Sequence, residues 1–492
     1  MAFSKNFAKK RFQKLKTRKK TQGSLNLEPL EMRAMMTTNA IVDGDWFDPN
    51  TWDNGVPDDS VRAIIGHDVT VELDGTLHEA KELVIHGDLV VPEEDVSTGE
   101  SDKSLTTRWI HINSGGELIV GSEVDRYDAG TFTVTLTGTD VTSNHVVETN
   151  MGGMNAGTMN VSSNDGFLMT AMGGSIQLFG EDKLSFTKLA ATASPGNNTI
   201  VVENVIERNY DKGAMNGDAF VTTAEDDGAL NWTENDQIVI ASSSYDYADE
   251  EVRIITNVAD NGDGTSTLTL NAPLEKRHYG EIEVYGETAA AGTNAASQTY
   301  EIDLRAEVAL LSRNVKIQGL DTQDTDVEFG DRANAVIQDR VRSSDLSPHE
   351  PVPPTQVANG VGGHIMLMPN SGDIHVDGVQ LDRMGQASQK GRYPIHWHLN
   401  DSRPNDFLKN SSITNSNNRG VTIHGTSDLK IEGVVLHDVH GHGFFFEDAV
   451  ETGNELVANI AFGIHTVGGN DKNFANPGGT DPFVVDTHDS VL

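Results

Sequence analysis

The stretch Arg392–Leu399, RYPIHWHL, alternates. Read with period two, it is a strand whose Tyr393, Ile395, Trp397 and Leu399 point one way and whose Arg392, His396 and His398 point the other. Two later stretches echo it. In GVTIHGT (420–426), Val421 and Ile423 face inward while Thr422 and His424 face outward; in GHGFFFED (441–448), Phe444 and Phe446 face inward while Phe445 and Glu447 face outward. The last two align with an offset of about 23 residues, close to one coil of a parallel β-helix. Stacked coils set equivalent residues roughly 4.8 Å apart, so His424 and Glu447 are expected as vertical neighbours. His398 fits one coil earlier if the polar insert Asn400–Lys409 bulges out, and His375, in IHVDG, fits a coil before that. The pattern thus predicts an outward ladder His375–His398–His424–Glu447 on one sheet, with His437, His440 and His442 in the adjoining turn.

The same rhythm runs along most of the chain. After the turn-rich WFDPNTWDNGVPDD come VRAIIGHDVTVELDG, ELVIHGDLVV and WIHINSGGELIVGSE, short alternating strands closed by Gly or Asp-Gly. Their spacing of about 20–30 residues, with few two-residue Asn-Gly turns, favours solenoid coils over hairpins. Residues 125–165 are polar, and the low-complexity MGGMNAGTMNVSSNDG (151–166) predicts a long loop; Met151, Met154 and Met159 within it offer soft-metal ligands or simply flexible chain. Residues 184–285 carry five strands joined by short polar turns and predict a β-barrel or sandwich inserted between coils. Asp260–Gly264, DNGDG, has the content of a calcium loop but lacks the downstream bidentate Glu, so a hairpin turn is expected. EVALLSRNVKIQG (307–319) returns to coil rhythm, a Pro/Ser loop fills 340–360, and coils then run almost unbroken. The last twenty residues lose the rhythm without an amphipathic cap, so the solenoid is expected to continue past them. The fold class is all-β: a single-stranded parallel β-helix with an inserted barrel.

Composition agrees and adds limits. The chain has 492 residues, 48 of them glycine, which is long enough for several domains and suits a turn-rich β protein. With no cysteine, disulfides and thiolate metal sites are impossible, and a transition-metal site must use His, Asp and Glu. No stretch approaches the apolar length of a membrane span. The net charge is −38, yet residues 1–33 carry ten Lys/Arg against two Asp/Glu, which leaves −46 on the rest. Such an acidic body argues against nucleic acid as a partner. It would also repel an acidic polysaccharide unless a local basic patch intervened; Arg383, Lys390, Arg392, Arg403 and Arg419 cluster around the histidines and can supply one. Residues 1–38 stand outside the fold as a basic, disordered or targeting arm. Within it LEPLEMR resembles an N-terminal motif of large planctomycete surface proteins.

The two tryptophans of WFDPNTW with Gly55, Pro57, Gly66, Gly87, Gly115, Gly116 and Gly121 resemble the G8 domain over about residues 40–165. GGSIQLFGEDKLSFTKL, IVIASSSYDYADEE, RAEVALLSRNVKIQG, RYPIHWHL, NRGVTIHGT and GHGFFFED, in that order, resemble the family of the cell-migration-inducing hyaluronan-binding protein and the fibrocystin-like proteins. The resemblance covers about residues 40–465. It implies an extracellular or cell-surface protein in which a G8 domain (39–165) leads into a right-handed β-helix. The coils with their barrel occupy 166–320, and further repeats occupy 321–492. It also implies binding, and in some relatives depolymerisation, of hyaluronan. The family pattern carries over onto Arg392, His396, His398, Arg419, His424, Asp438, His442, Glu447 and Asp448. Trp397 departs from it, standing where relatives often have Phe.

Cleaving a polysaccharide needs an acid or base near the glycosidic oxygen and a positive group for any uronate. The candidate catalytic residues are His398, His424 and Glu447, with Arg392 and Arg419 as cations. Histidines two apart on a strand project to one side, and stacked rungs add carboxylates. His396, His398, His424, His442, Glu447 and Asp448 are therefore candidate ligands for a divalent ion, calcium or a transition metal. The competing reading is a non-catalytic adhesion or matrix scaffold whose stacked histidines only satisfy turns, as expected for the isolated His86 and His111.

Overall fold

The structure, a computed structural model, describes residues 37–92, 102–138, 165–204, 206–208, 220–222, 230–287, 298–320, 362–386 and 390–465. The basic arm apart from its last two residues, the Met151–Met159 stretch, the Pro/Ser loop at 340–360 and the final twenty residues lie outside them.

Three long sheets, here A, B and C, wrap one core, and each coil after the first, which has no sheet C strand, visits them in that order. Sheet A stacks Thr37–Ala40, Arg62–Ile65, Glu82–Ile85, Ile110–Ile112, Phe167–Thr170, His364–Leu367, Ile395–Ser402, Val421–Ser427 and Phe444–Phe446. Sheet B has nine strands from Gly44–Asp45 to Glu455–Val457, and sheet C has eight from Leu77–Ala80 to Ile460–His465. Successive strands of sheet A pair in parallel throughout, so the chain is a parallel β-helix from its first described strand. The segment that resembles a G8 domain is built into the same three sheets as the later coils.

The alternation read from the sequence is the reason. Inward side chains stack rung on rung: Ile365 on Ile395 on Val421 on Phe444, and Leu367 on Trp397 on Ile423. On sheet C, Val134, Ile317, Leu381, Ile413 and Leu436 form one file. These residues belong to a single core that runs from Ala40 to Val439. A parallel sheet buries its rungs on both sides only where something covers its outer face. Sheet A has such a place, where Trp109, Phe167, Met169, Ala171, Met366 and Met368 form an outward apolar cluster that is itself buried.

The barrel departs from the solenoid between the sheet B strand Ser175–Phe179 and the sheet C strand Val315–Gly319. Its six antiparallel strands run in the order Phe186–Lys188, Glu307–Leu310, Gln237–Ile240, Glu251–Asp260, Thr265–Leu270, Thr199–Glu203. A bridge between Leu189 and Val202 joins the two edges. It has its own core around Val202, Trp232, Ile238, Leu268 and Val308. Phe186, Val239, Ala309 and Leu311 pack against Val435 and Phe462 of sheet C. Glu307–Leu310, which reads as coil rhythm, is an inner strand of this barrel, because alternation looks alike in a parallel coil and an antiparallel sheet. Asp260–Gly264 is a hairpin turn: the Asp260 carboxylate accepts from Gly262 N–H and that of Asp263 from Thr265 N–H.

Ile413 is fully buried in the file on sheet C. Ile413→Ala is expected to lose about 2–5 kcal/mol in denaturant unfolding. The half-buried, outward His375→Ala should lose far less; equal losses would place Ile413 outside the core.

Candidate functional site

Three neighbouring strands of sheet A, Ile395–Ser402, Val421–Ser427 and Phe444–Phe446, build the site. Ile395 and Trp397 enter the core, which turns His396 and His398 outward. His398 stacks directly on His424, and Ile423 on Phe446, so Glu447 arrives beside His424 and its N–H donates to Ile423 O at 2.9 Å. His398–His424–Glu447 thus form the ladder that the sequence predicts, with Phe446 lying 23 residues beyond Ile423. The expected insert Asn400–Lys409 does not loop out: Asn400–Ser402 continues the sheet A strand and Phe407–Lys409 is a strand of sheet B, and the irregularity is a one-residue bulge just after His398. Two residues, Leu399 and Asn400, face Gly425 alone, and Leu399 and Asp401 adopt φ of 55° and 56°. Asn400 holds the bulge by donating to Leu367 O at 2.6 Å. Such bulges bend a strand and re-aim its side chains. Gly425 (φ 52°) lies under it, and a Cβ there would stand 2.7 Å from Leu399.

The distances define a compact centre. His398 Nδ1 lies 3.0 Å from His424 Nδ1, and donor atoms of His396, His398 and His424 lie within 4.8 Å of one another. Glu447 Oε2 is 3.8 Å from His424 Nδ1 and 3.9 Å from His396 Nε2. Two groups set the tautomers from behind. His424 Nε2 is 3.0 Å from Asp448 Oδ2, and His396 Nδ1 is 3.4 Å from Gly391 O. Each of these acceptors takes the ring N–H, which leaves the lone pair of the other nitrogen facing the centre. His396 Nε2 and Glu447 Oε2 are buried there without a hydrogen-bond partner. Lys390 Nζ reaches Glu447 Oε1 at 3.2 Å from the solvent side.

Burial pushes the His396 and His398 imidazoles toward the neutral form. His396 is fully enclosed and held well below its ordinary pKa by burial and then by His398 and His424. His398 is lowered to about 4 by burial, then by His424 and Lys390. The centre can therefore present lone pairs at neutral pH, to a proton or to a cation.

Other expected members fall elsewhere. His375 is on sheet B, not A: its ring stacks on Phe407 at 4.5 Å and its Nδ1 lies 2.8 Å from Gln177 Oε1. Coil rhythm gives the period of the repeat but not which wall a strand occupies. The place one coil below His398 falls instead to the file of Met366 and Met368. His437 and His440 are within the sheet C strand Val435–His440, not in a turn; His437 Nε2 meets Glu250 of the barrel at 3.2 Å. His442 does occupy the corner, but its ring packs on Phe445 at 4.8 Å and stays out of the centre. Burial, then Arg419, lowers it to about 4. Asp438 pairs with His465 at 3.0 Å. The isolated His111 makes a polar contact with Asn113, and His86 stacks on His67.

The two arginines are turned inward. Arg392 Nε is 3.2 Å from buried Asp165, and its Nη1 is 3.4 Å from His364. Arg419 donates to the Tyr393 hydroxyl at 3.1 Å and lies 3.8 Å over the Phe445 ring. Arg383 and Arg403 are likewise engaged, with Gln318 and Asp406. Of the predicted basic patch only Lys390 stands well out, with 70% of its side chain exposed. Asp165 and His364 are polar neighbours that the sequence reading missed. GHIML carries the same alternation as YPIHWHL, which was the available signal; Asp165, at the end of a low-complexity stretch, offered none.

Comparison with known proteins bears on this centre. Residues 51–190 match the G8 domain family, and residues 360–481, which contain the centre, match the CEMIP beta-helix family. Communication mutant protein F of Dictyostelium discoideum is 26% identical over 90% of this chain and 31% of its own length. Mouse fibrocystin-L is 26% identical over 89% of this chain and 9% of its own. The human cell surface hyaluronidase CEMIP2 is 32% identical over 48% of this chain and 14% of its own. The chain thus spans less than a third of each relative.

A histidine whose pKa is lowered by folding weakens the fold on acidification, because the unfolded chain binds the proton first. For His398 and His442 the loss begins near the unfolded value of 6.5 and is complete near 4. The melting temperature should fall across that window, and His398→Gln should flatten part of the slope. Calorimetry showing the same slope in wild type and variant would mean that His398 is not held neutral.

Proposed function

This chain belongs with the G8-domain proteins whose G8 region runs into a CEMIP β-helix, and from that premise we propose that it is an extracellular or cell-surface protein that binds a linear polysaccharide along sheet A and depolymerises it at the histidine centre. The observation that carries this reading is the convergence of His398, His424, Glu447 and Asp448 from three successive rungs. A β-helix wall is a long, shallow surface that suits an extended glycan, and glycosidic cleavage requires proton-handling groups held within reach of the scissile bond. His424 is 17% exposed and Asp448 45%, so the centre opens to solvent on the Asp448 side. Among the described residues no helix is long and apolar enough to cross a membrane.

The centre can act on a glycosidic bond by moving a proton or through a cation that polarises an oxygen. The relative named as a hyaluronidase supports a hyaluronan-like substrate. The inward arginines favour a second reading. With Arg392 and Arg419 engaged inside the fold, Lys390 is the exposed cation nearest the centre, and a uronate would meet mainly carboxylates. A scaffold that holds a partner without cutting a polymer accommodates that observation.

Incubation with hyaluronan, chondroitin and pectin, followed by sizing of the chains, separates the readings. Depolymerisation predicts shortening of at least one polymer and a loss of about 100-fold or more in His424→Ala, with little change in melting temperature. No shortening of any of the three would leave the scaffold.

A further inference from the structure

We propose that His396 Nε2, His398 Nδ1, His424 Nδ1 and Glu447 Oε2 form a binding site for one zinc-class divalent cation. The proposal rests on this centre being a functional site but not on a glycan being its substrate.

Three observations point to a cation. First, two acceptors face each other with nothing donated between them. The Gly391 carbonyl takes the Nδ1–H of His396, so the ring turns its Nε2 lone pair toward the Glu447 carboxylate, 3.9 Å away. Both atoms are buried and without a hydrogen-bond partner, although the His396 side chain is only 2% exposed and that of Glu447 only 9%. Leaving two buried acceptors opposed in this way is costly, and a positive charge between them removes the cost. Second, a further lone pair points at the same spot. Asp448 takes the Nε2–H of His424 at 3.0 Å and frees Nδ1. A carboxylate behind an imidazole is the usual means of fixing the tautomer and raising the basicity of a metal-ligating histidine. Third, the spacing is nearly right. Tetrahedral zinc with bonds of about 2.0–2.1 Å sets its donors roughly 3.3 Å apart. The observed separations of 3.0, 3.8 and 3.9 Å bracket that value, so small side-chain rotations close the shell.

The donor set selects the ion. Three neutral imidazoles and one carboxylate suit zinc and its first-row neighbours, whereas calcium and magnesium prefer shells of oxygen. His442, on the far side of Phe445, is not part of the shell. The ligands sit on strands of the solenoid rather than on loops, which is the arrangement that holds a site with least reorganisation.

The test is metal uptake by the full chain. Protein stripped with chelator is titrated with zinc against a chromophoric competitor, and cobalt is used as a spectroscopic substitute. The expected result is one tight equivalent, undiminished by millimolar calcium. Intense visible cobalt bands of four-coordinate geometry and a rise in melting temperature should accompany it. His398→Gln and His424→Gln should each weaken binding at least tenfold, while His375→Gln, outside the centre, should not. Stripped variants that melt like the stripped wild type show that the loss is local. Uptake that is equal in all the variants, or cobalt bands of octahedral strength only, overturns the site. Polymer shortening that persists in chelator without zinc uptake also overturns it, and leaves the glycan reading standing. One zinc bound with no polymer shortened supports the metal and removes depolymerisation.

Discussion

Parallel stacking of coils is the constraint from which the rest follows. Each rung repeats the path of the one below at the strand spacing of roughly 4.8 Å, so residues about 25 positions apart become contact neighbours, and inward and outward faces keep their phase. The inward face satisfies itself, as files of Ile, Leu and Val filling one continuous core. The outward face has no such obligation, and on it the sequence can bring polar and titratable side chains into contact from rung to rung. The His398–His424–Glu447 file is of that kind.

The centre depends on how two features modify that regularity. The bulge at Leu399 and Asn400 gives one strand an extra residue just beyond His398, over Gly425, where a side chain would collide. It interrupts the ladder where the strand would otherwise continue flat. The chain before the strand folds back over it, so that Gly391 O and Lys390 reach His396 and Glu447. The result is a half-enclosed centre in which burial holds His396 and His398 toward the neutral form, while Asp448 and Gly391 aim the rings of His424 and His396. Arg392 and Arg419 serve that enclosure: one ties the strand to Asp165 and His364, the other clamps Tyr393 to Phe445. Their position close to the histidines in sequence places them in these supporting contacts.

Much of this was legible because alternation and period are local. Tyr393, Ile395 and Trp397 against His396 and His398 already assign the faces of the strand, and the 23-residue echo assigns Glu447 to the rung beyond His424. Where the reading failed, the missing quantity was not local. His375 obeys the same alternation, yet it faces outward from sheet B, since period does not reveal which of three walls a strand occupies. EVAL at 307–310 has coil rhythm but pairs antiparallel in the barrel. His442 is two residues from His440 and of the right type, but a corner separates their directions, and Phe445 takes up its ring.

The sequence by itself determined that this is a β-solenoid, which residues line its interior, and that His398, His424 and Glu447 rise in one outward file. Those properties depend only on period-two alternation and a recurring coil of about 20–30 residues, both of which are written along the chain. Tertiary structure alone decided that the His396 ring reaches that file from the neighbouring position, that Asp448 and Gly391 orient the rings, and that the arginines turn inward. These outcomes depend on angles set by a bulge, a corner and a folded-back segment, and on burial summed over several coils. No single stretch of sequence encodes those quantities, because each arises only when distant rungs come into contact.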